Sequence, residues 1–355
     1  RHVSSDMSLW FSMRRALLEH GFFAYSHLQY PYPYPPLFMP WLMVSVWIGD
    51  RLGIPRDVAL KLPIILADAC LVLVVIEALE RRGFRRGLVI SAASLVAFGP
   101  TFVVLSGYHG HFDSLAILPA AIAALAWERR QTPSRALACG GLIGIGAATK
   151  TMPLFALLAL LPTARSWRER LLLTVAAVAV PTVVTLPFLL ADQRGVTRMF
   201  FYGGLPGWGG WSLFVQPDLV RAWLFEQPIT PSPATIFLLR HGAKLSFAAL
   251  LLVGVLLLRR RRPPIEAACA VWLTVYAFAA NFFAGYANWG LPFLLMAGRA
   301  GEATLLTALL VPITLISYVR PELPDVAVPL YQTLAVTLQL SFVVLWVREL
   351  LRLAR

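Results

Sequence analysis

Two short connections in an otherwise apolar chain concentrate polar residues. Gly107-Tyr-His-Gly-His-Phe-Asp-Ser carries His109, His111 and Asp113, and Lys150 interrupts the long apolar stretch 136–164. Ionisable side chains are costly in a membrane, so they indicate a functional site or a buried pair. We expect Lys150 to emerge on the same membrane face as the histidines. There its ammonium group can bind a lipid phosphate, or it can simply snorkel to the interface.

The His-x-His-x-Asp pattern of residues 109–113 is compatible with three roles. It resembles part of a metal site, but its ligand set is incomplete, so we predict no metal. The imidazoles can instead hydrogen-bond a phosphate or a sugar, or the polar residues can cap the helix that follows. The chain has no P-loop, no G-x-G-x-x-G before a strand and no Asp-x-Asp. We therefore predict no cofactor and no cytoplasmic domain that binds a nucleotide sugar.

The composition is that of a polytopic α-helical membrane protein. Of 355 residues, 58% are hydrophobic and only 14% are charged, and the mean hydropathy is +0.70; soluble chains carry about 25% charged residues. The net charge of +13 comes from short basic clusters between apolar runs. This pattern indicates that the charges set the membrane topology and attract anionic lipid, rather than bind nucleic acid. The three cysteines, Cys70, Cys139 and Cys269, lie in apolar runs and support neither disulfides nor a zinc site.

The apolar runs predict an all-α bundle of eleven membrane segments, some of them too short to cross a bilayer without shielding by neighbours. The predicted segments are 58–80, 87–106, 113–128, 136–149, 152–164, 170–191, 236–258, 265–283, 286–298, 303–319 and 328–347.

Arginine-rich connections set the predicted topology. More than half of the 31 basic residues lie in alternate, mostly short connections, which the positive-inside rule assigns to the cytoplasm. We therefore predict a first external loop at 1–57, an N-terminal bundle at 58–191, a long external loop at 192–235 and a C-terminal bundle at 236–355. The arginines concerned are Arg81, Arg82, Arg85, Arg86, Arg129, Arg130, Arg135, Arg165, Arg168, Arg170, Arg259, Arg260, Arg261, Arg262, Arg299, Arg348, Arg352 and Arg355.

The two external loops have patterns of their own. Residues 6–19 and 36–52 are predicted to be helices that lie along the outer membrane surface, because making 36–52 a span would break the alternation of later loops. The loop 192–235 is rich in Gly, Pro and Trp. Trp208 and Trp211 in this loop can stack on sugars or anchor it to lipid, and both alternatives stay open.

A series of short motifs resembles the GT-C glycosyltransferases. It is similar to the asparagine-linked-glycosylation glucosyltransferases that use dolichyl-phosphate-glucose, and to bacterial polyprenyl-phosphate-mannose transferases. The resemblance covers residues 4–155, with a vague later match at Asn288-Trp-Gly-Leu-Pro292. Its motifs are Ser5-Asp6, Trp10, Gly21-Phe-Phe, Tyr30-Pro-Tyr-Pro-Tyr-Pro-Pro-Leu37, Leu60-Lys-Leu-Pro-Ile-Ile-Leu-Ala-Asp68, Gly99-Pro100, Gly110-His-Phe-Asp-Ser114, and Lys150 with Pro153.

The resemblance implies that a sugar passes from a polyprenyl phosphate to an acceptor at the outer face of the membrane. Asp6 would be the general base, and Lys150, His111 and His109 would contact the donor phosphate. The remaining candidates for substrate contact are Asp113, Tyr34, Trp208 and Trp211.

The expected reaction transfers a hexose, mannose or glucose, to a lipid-linked glycan or glycolipid in a bacterial plasma membrane. Relative to the family, the sequence starts after the first membrane helix, and we expect a fragment that has lost that helix. A transporter or flippase for a lipid-linked or polar substrate is the alternative, although such proteins place ionisable residues near the membrane midplane.

Overall fold

A computed structural model describes residues 5–28, 32–200, 207–225, 227–319 and 324–354, apart from the side chains of residues 5, 6, 200 and 319. Throughout these residues the regular structure is helical, with no strand. The predicted all-α membrane bundle is thereby confirmed.

The helices follow one another with short connections. The α-helices are α1 (Ser5–His20), α2 (Met39–Leu52), α3 (Arg56–Arg81), α4 (Arg86–Ala97), α5 (Pro100–Phe102), α6 (Asp113–Arg129), α7 (Pro133–Thr149), α8 (Leu157–Leu160), α9 (Trp167–Ala191), α10 (Gln193–Phe200), α11 (Ser212–Val215), α12 (Leu219–Phe225), α13 (Pro233–Arg260), α14 (Pro264–Ala277), α15 (Leu291–Met296), α16 (Ala300–Val319) and α17 (Pro324–Ala354). A π-helical turn forms at Val103–His109, and 3₁₀ turns form at Gly21–His27, Pro36–Phe38, Met152–Ala156, Leu161–Thr163 and Ala284–Trp289.

Each predicted membrane segment has a helical counterpart. Within the described residues, six helices are long and apolar enough to cross a membrane alone, among them Arg56–Arg81, Trp167–Ala191 and Pro233–Arg260. Shorter apolar elements such as α14 lie in the interior, where nearly every side chain is buried. Shielding by neighbouring helices is what short membrane segments require, because their ends cannot be solvated by lipid.

Several arginine-bearing helix ends meet at one end of the bundle, which we call the arginine face. Arg82, beyond α3, donates to Glu266 at the start of α14 at 2.5 Å. Arg299 pairs with Glu349 of α17 at 2.6 Å, and Arg262 donates to the Arg352 carbonyl oxygen at 2.5 Å. The connections that the sequence assigns to one side of the membrane are therefore neighbours in space.

Helices α7 and α9 run parallel in close contact. A side chain at Gly140 would collide with the Leu173 carbonyl, and one at Gly144 would lie 3.0 Å from the Ala177 carbonyl oxygen. Such small residues let helix backbones approach closely in a membrane protein. Both helices start at the arginine face, because Arg82 lies 3.9 Å from Glu128 at the end of α6, and that end also contacts the residues where α7 and α9 begin: Arg135 donates to the Ala126 carbonyl oxygen, and Trp127 donates to the Thr163 hydroxyl. Lys150, after the end of α7, therefore lies toward the opposite end of the bundle.

The first external loop forms the two predicted helices, α1 and α2. Trp10 of α1 is buried, and its ring lies 5.4 Å from that of Tyr34 and 4.6 Å from that of Phe112. This aromatic cluster fixes α1 to the bundle beside residues 107–114, which carry His109 and His111 and which we call the histidine segment. Neither helix is among the candidate spans.

Asp192 ties the first external loop to the end of α9. Its carboxylate accepts hydrogen bonds from the Ser26 amide at 2.7 Å, the Ser26 hydroxyl at 2.5 Å and the Gly195 amide at 2.9 Å. Although burial alone would raise its pKa, these donors hold the pKa of Asp192 below its ordinary value. The carboxylate therefore stays ionised, and keeps its hydrogen bonds, at neutral pH.

The long loop is partly helical, since α10, α11 and α12 all lie within 192–235. The amide groups of Trp211 and Ser212 donate to the carbonyl oxygens of Ala279 and Ala280. Because these carbonyls pair with the loop, α14 ends at Ala277 rather than near 283 as predicted. The loop is therefore docked on the end of an interior helix.

Candidate active site

The histidine segment is shaped by an irregular turn. The π-helical turn ends at His109, and Gly110 follows with φ +77°, in the left-handed region that favours glycine. A side chain at Gly110 would also lie 2.8 Å from the Met7 sulfur. Because π-helical turns insert a residue into a helix, they often re-aim side chains at functional sites. Here His109 and His111 both become buried beside the start of α6.

Lys150 directly follows the last residue of α7. Its amide still donates to Gly146 at 2.9 Å, but its backbone is extended (φ −153°, ψ 132°), so the side chain leaves the helix axis. Only 10% of the Lys150 side chain is exposed. This burial contradicts a simple snorkelling role, because a snorkelling ammonium group stays in water.

Asp113 is the centre of a buried polar cluster. Its Oδ1 accepts from Lys150 Nζ at 2.5 Å and from Trp289 Nε1 at 2.7 Å, while its Oδ2 lies 2.5 Å from His111 Nδ1. Only 2% of the Asp113 side chain is exposed. A buried carboxylate needs such partners, because desolvation of an unpaired charge costs several kcal/mol. We call these four residues the Asp113 cluster.

Aromatic rings surround the Lys150 ammonium group. Its nitrogen lies 5.3 Å from the ring centres of Tyr34 and Tyr286, 5.1 Å from that of Trp289 and 5.9 Å from that of Phe112. The negative face of an aromatic ring attracts a cation, more strongly when water is excluded. The rings and Asp113 therefore hold a positive charge in place at the edge of the cluster.

A second aromatic group connects the cluster to the long loop. The His109 ring lies 4.9 Å from that of Tyr318, and the His111 ring lies 5.9 Å from that of Phe283. Phe283 in turn lies 4.9 Å from Trp208, whose carbonyl accepts from the Tyr331 hydroxyl at 2.6 Å. Trp208 itself is half-buried.

The start of α1 lies against the histidine segment. Met7 is buried, and its sulfur approaches Gly110. Asp6 belongs to the first turn of α1, next to Met7, although its side chain lies outside the described residues. Half-buried Lys61 approaches Gly110 from α3, with its Cε 3.5 Å from where a side chain there would begin. The predicted base and a second lysine therefore belong to elements that meet beside His109 and His111.

The other predicted site residues differ in their placement. Tyr34 contributes one of the aromatic rings around the Lys150 ammonium group, whereas Tyr30 lies outside the described residues. Trp211 docks the loop instead: its indole nitrogen donates to the Ala277 carbonyl oxygen at 2.7 Å. Within the described residues no group of three His, Cys, Asp or Glu side chains has the arrangement of a metal site.

Sequence reasoning missed Trp289, Tyr286 and Lys61 as site residues. Trp289 and Tyr286 follow an apolar segment that gives no sign of a site, although Asn288-Trp-Gly-Leu-Pro292 vaguely matches a family segment. Lys61 stands in the motif Leu60-Lys-Leu-Pro-Ile-Ile-Leu-Ala-Asp68, to which the resemblance assigns no role in the site. Each of the two segments matches a motif of the family, but no periodic pattern distinguishes these three residues from their neighbours.

The model of one protein family matches most of the chain. Glycosyltransferase family 87 matches residues 32–274, a range that includes the histidine segment, Asp113, Lys150 and the long loop. No curated protein and no solved structure matches the chain significantly.

Proposed function

Because the chain belongs to glycosyltransferase family 87 and is therefore a membrane glycosyltransferase of the GT-C type, we propose that its donor is a polyprenyl-phosphate hexose. The acceptor is a lipid-linked glycan or glycolipid, and transfer takes place on the extracytoplasmic face. The observation that carries the proposal is the Asp113 cluster, a buried polar site at the end of the bundle opposite the arginine face. Three of its residues, His111, Asp113 and Lys150, lie in the matched region.

The chemistry requires a base and a stabilised leaving group. In the transfer, the acceptor oxygen bonds to the anomeric carbon, its proton passes to the Asp6 carboxylate, and the bond between sugar and phosphate breaks. The departing polyprenyl phosphate gains a negative charge. Cationic groups that meet this charge stabilise the transition state more than the ground state and so accelerate the reaction.

Lys150, His111 and His109 are the proposed contacts of the donor phosphate. The ammonium group of Lys150 has three N–H donors and gives one of them to Asp113. The buried surroundings strengthen its attraction to a phosphate, because they screen charge less than water does. Tyr34, Trp208 and Asp113 are the proposed contacts of substrate, while the docking role of Trp211 supports a place for it outside the site.

Lys61 is a further candidate for phosphate contact. Its ammonium group forms no ion pair within the described part of the chain, and its stem lies beside Gly110. We expect Lys61→Met to lower donor use by roughly ten- to a hundredfold, since a hydrogen bond to a charged group is worth about 1.5–3 kcal/mol. Methionine keeps the apolar stem. Single-turnover transfer from a labelled donor measures the effect.

The matched control for Lys61→Met is Lys244→Met, because Lys244 is exposed on α13. Equal and small effects of the two substitutions would exclude Lys61 from the donor site.

The proposed topology places α1 outside and the arginine face in the cytoplasm. We expect a cysteine that replaces exposed Glu19 to react with a membrane-impermeant maleimide added to intact cells. A cysteine that replaces exposed Arg259 should react only after the membrane is opened. The background protein must lack Cys70, Cys139 and Cys269. Labelling of position 259 but not position 19 in intact cells would show that the topology is the reverse of the proposed one.

A panel of labelled polyprenyl-phosphate sugars tests the function itself. Membranes that contain the protein should transfer label from one hexose donor to a lipid-extractable glycan, and the same protein should not transfer it from a nucleotide sugar. Movement of intact donor across the membrane without transfer would instead favour the transporter alternative.

A further inference from the structure

An apolar groove opens between α9 and α13 at the arginine face. Its volume is about 590 Å³, within the range of about 300–1,000 Å³ typical of small-molecule sites. Leu158 and Leu161 are among the residues that line it. The two walls show helical spacing, with lining residues three or four positions apart. They include Trp167, Arg170 and Thr174 on α9, and Leu251, Gly254 and Leu258 on α13.

The mouth of the groove is positively charged and aromatic. Arg170 lines it, and Trp167 beside it is 75% exposed. Arg168 and Arg259 adjoin lining residues, and both are exposed. Across the described residues none of these three arginines forms an ion pair with an acidic side chain, although Arg170 makes a long hydrogen bond of 3.5 Å to the Ala164 carbonyl oxygen.

The acidic side chain of Glu169 lies between Arg168 and Arg170 in the chain and does not pair with either of them. Glu169 is buried, and its carboxylate accepts a hydrogen bond from the Arg165 backbone amide at 2.8 Å. The amide of Glu169 is in turn held by the Ser166 hydroxyl. The positive charge at the mouth is therefore available to an anion from outside the protein.

We propose that the groove binds an anionic phospholipid of the adjacent leaflet. One acyl chain lies in the groove between the apolar walls, and the phosphate lies against Arg170 and Arg168. The charge of the mouth complements a phosphate, and basic pockets between membrane helices recognise anionic lipid head groups. Trp167 suits the head-group region, where tryptophan is enriched.

This site is distinct from the site that would hold the donor. Leu173 of α9 lies beside Gly140 of α7, so Arg170 lies about one turn nearer the arginine face than Gly140 does. Lys150 lies ten residues beyond Gly140 in the other direction, which separates the two levels by roughly 20 Å at 1.5 Å per residue. A lipid at Arg170 therefore cannot place its phosphate in the Asp113 cluster. The lipid site does not depend on which donor the enzyme uses.

Gly254→Leu tests the groove directly. A side chain at Gly254 would meet only the Leu158 side chain, at 3.7 Å, so the first carbon fits and the rest of the leucine occupies the groove. Gly141→Leu on α7 is the matched control, because that position has open space around it. Native mass spectrometry should show retained phosphatidylglycerol on the wild type and on Gly141→Leu. Gly254→Leu should lose it while melting at the wild-type temperature.

A second pair of variants tests the charge without touching the core. Arg168→Gln with Arg170→Gln should weaken phosphatidylglycerol binding on the order of ten- to thirtyfold, since each arginine near a lipid head group contributes about 1 kcal/mol. Arg85→Gln with Arg86→Gln removes two exposed arginines elsewhere and should leave binding unchanged.

Either of two outcomes would overturn the proposal. One is equal retention of phosphatidylglycerol and of phosphatidylcholine with matched chains, because the arginines would then not distinguish an anionic head group from a zwitterionic one. The other is displacement of phosphatidylglycerol from the wild type by a polyprenyl phosphate at equal concentration. That result would assign the groove to the prenyl carrier.

Discussion

Asp6→Asn is expected to lower the rate of sugar transfer by roughly 10²–10⁴-fold, the usual contribution of a general base. Asparagine keeps the size and the polarity of the side chain in the first turn, so α1 should still form at Ser5–His20. What is lost is the carboxylate that accepts the proton of the acceptor hydroxyl. The variant should still bind the polyprenyl-phosphate donor, which a binding assay with labelled donor measures separately from turnover.

Asp50→Asn is the control for the Asp6 substitution. Asp50 is exposed and pairs with Arg56 at 2.8 Å, an interaction that contributes little at a surface. If Asp6→Asn turns over at nearly the wild-type rate, Asp6 is not the base. Asp113 would be a poor substitute for it, because both of its oxygen atoms already have partners in the buried cluster.

The helical segments could be predicted because local signals in the sequence mark their ends. Pro133, Pro233 and Pro264 each stand in the first turn of a helix, where proline loses no hydrogen bond. Thr132 and Ser232 cap the first two of these helices through their hydroxyl groups. Apolar length and arginine-rich connections supply the rest, so the prediction of a polytopic bundle needed no knowledge of packing.

The Asp113 cluster could be predicted only in part. The alternation of segments indicated that Lys150 and the histidines emerge on one face, but not that Lys150 pairs with Asp113. Trp289 lies 176 positions beyond Asp113 in the chain. Contacts of this kind depend on how interior helices pack against each other, and a single sequence carries no periodic signal for that packing. The end of α14 was predicted too late for the same reason, since distant loop residues pair with the carbonyl groups of Ala279 and Ala280 just beyond it.

Because Lys150 pairs with buried Asp113, a test of its role must separate its effect on stability from its effect on donor binding. Lys150→Met alone should lower the melting temperature strongly, because an uncompensated charge at Asp113 costs roughly 3–5 kcal/mol. Adding Asp113→Asn should recover most of that loss. An amide can still accept from Trp289 and contact His111, and methionine can fill the space between the aromatic rings. Thermal unfolding of the purified single and double variants measures this cycle.

Transfer activity then separates the two roles of Lys150. If its ammonium group binds the donor phosphate, the double variant should be stable yet use the donor roughly ten- to a hundredfold less well than Asp113→Asn alone, since the charge of Lys150 is gone. Lys244→Met, at an exposed position on α13, should leave both stability and donor use unchanged. Should the double variant regain transfer together with stability, Lys150 would serve only to neutralise Asp113. The donor phosphate would then depend on Lys61 and the histidines, the other basic groups beside Gly110.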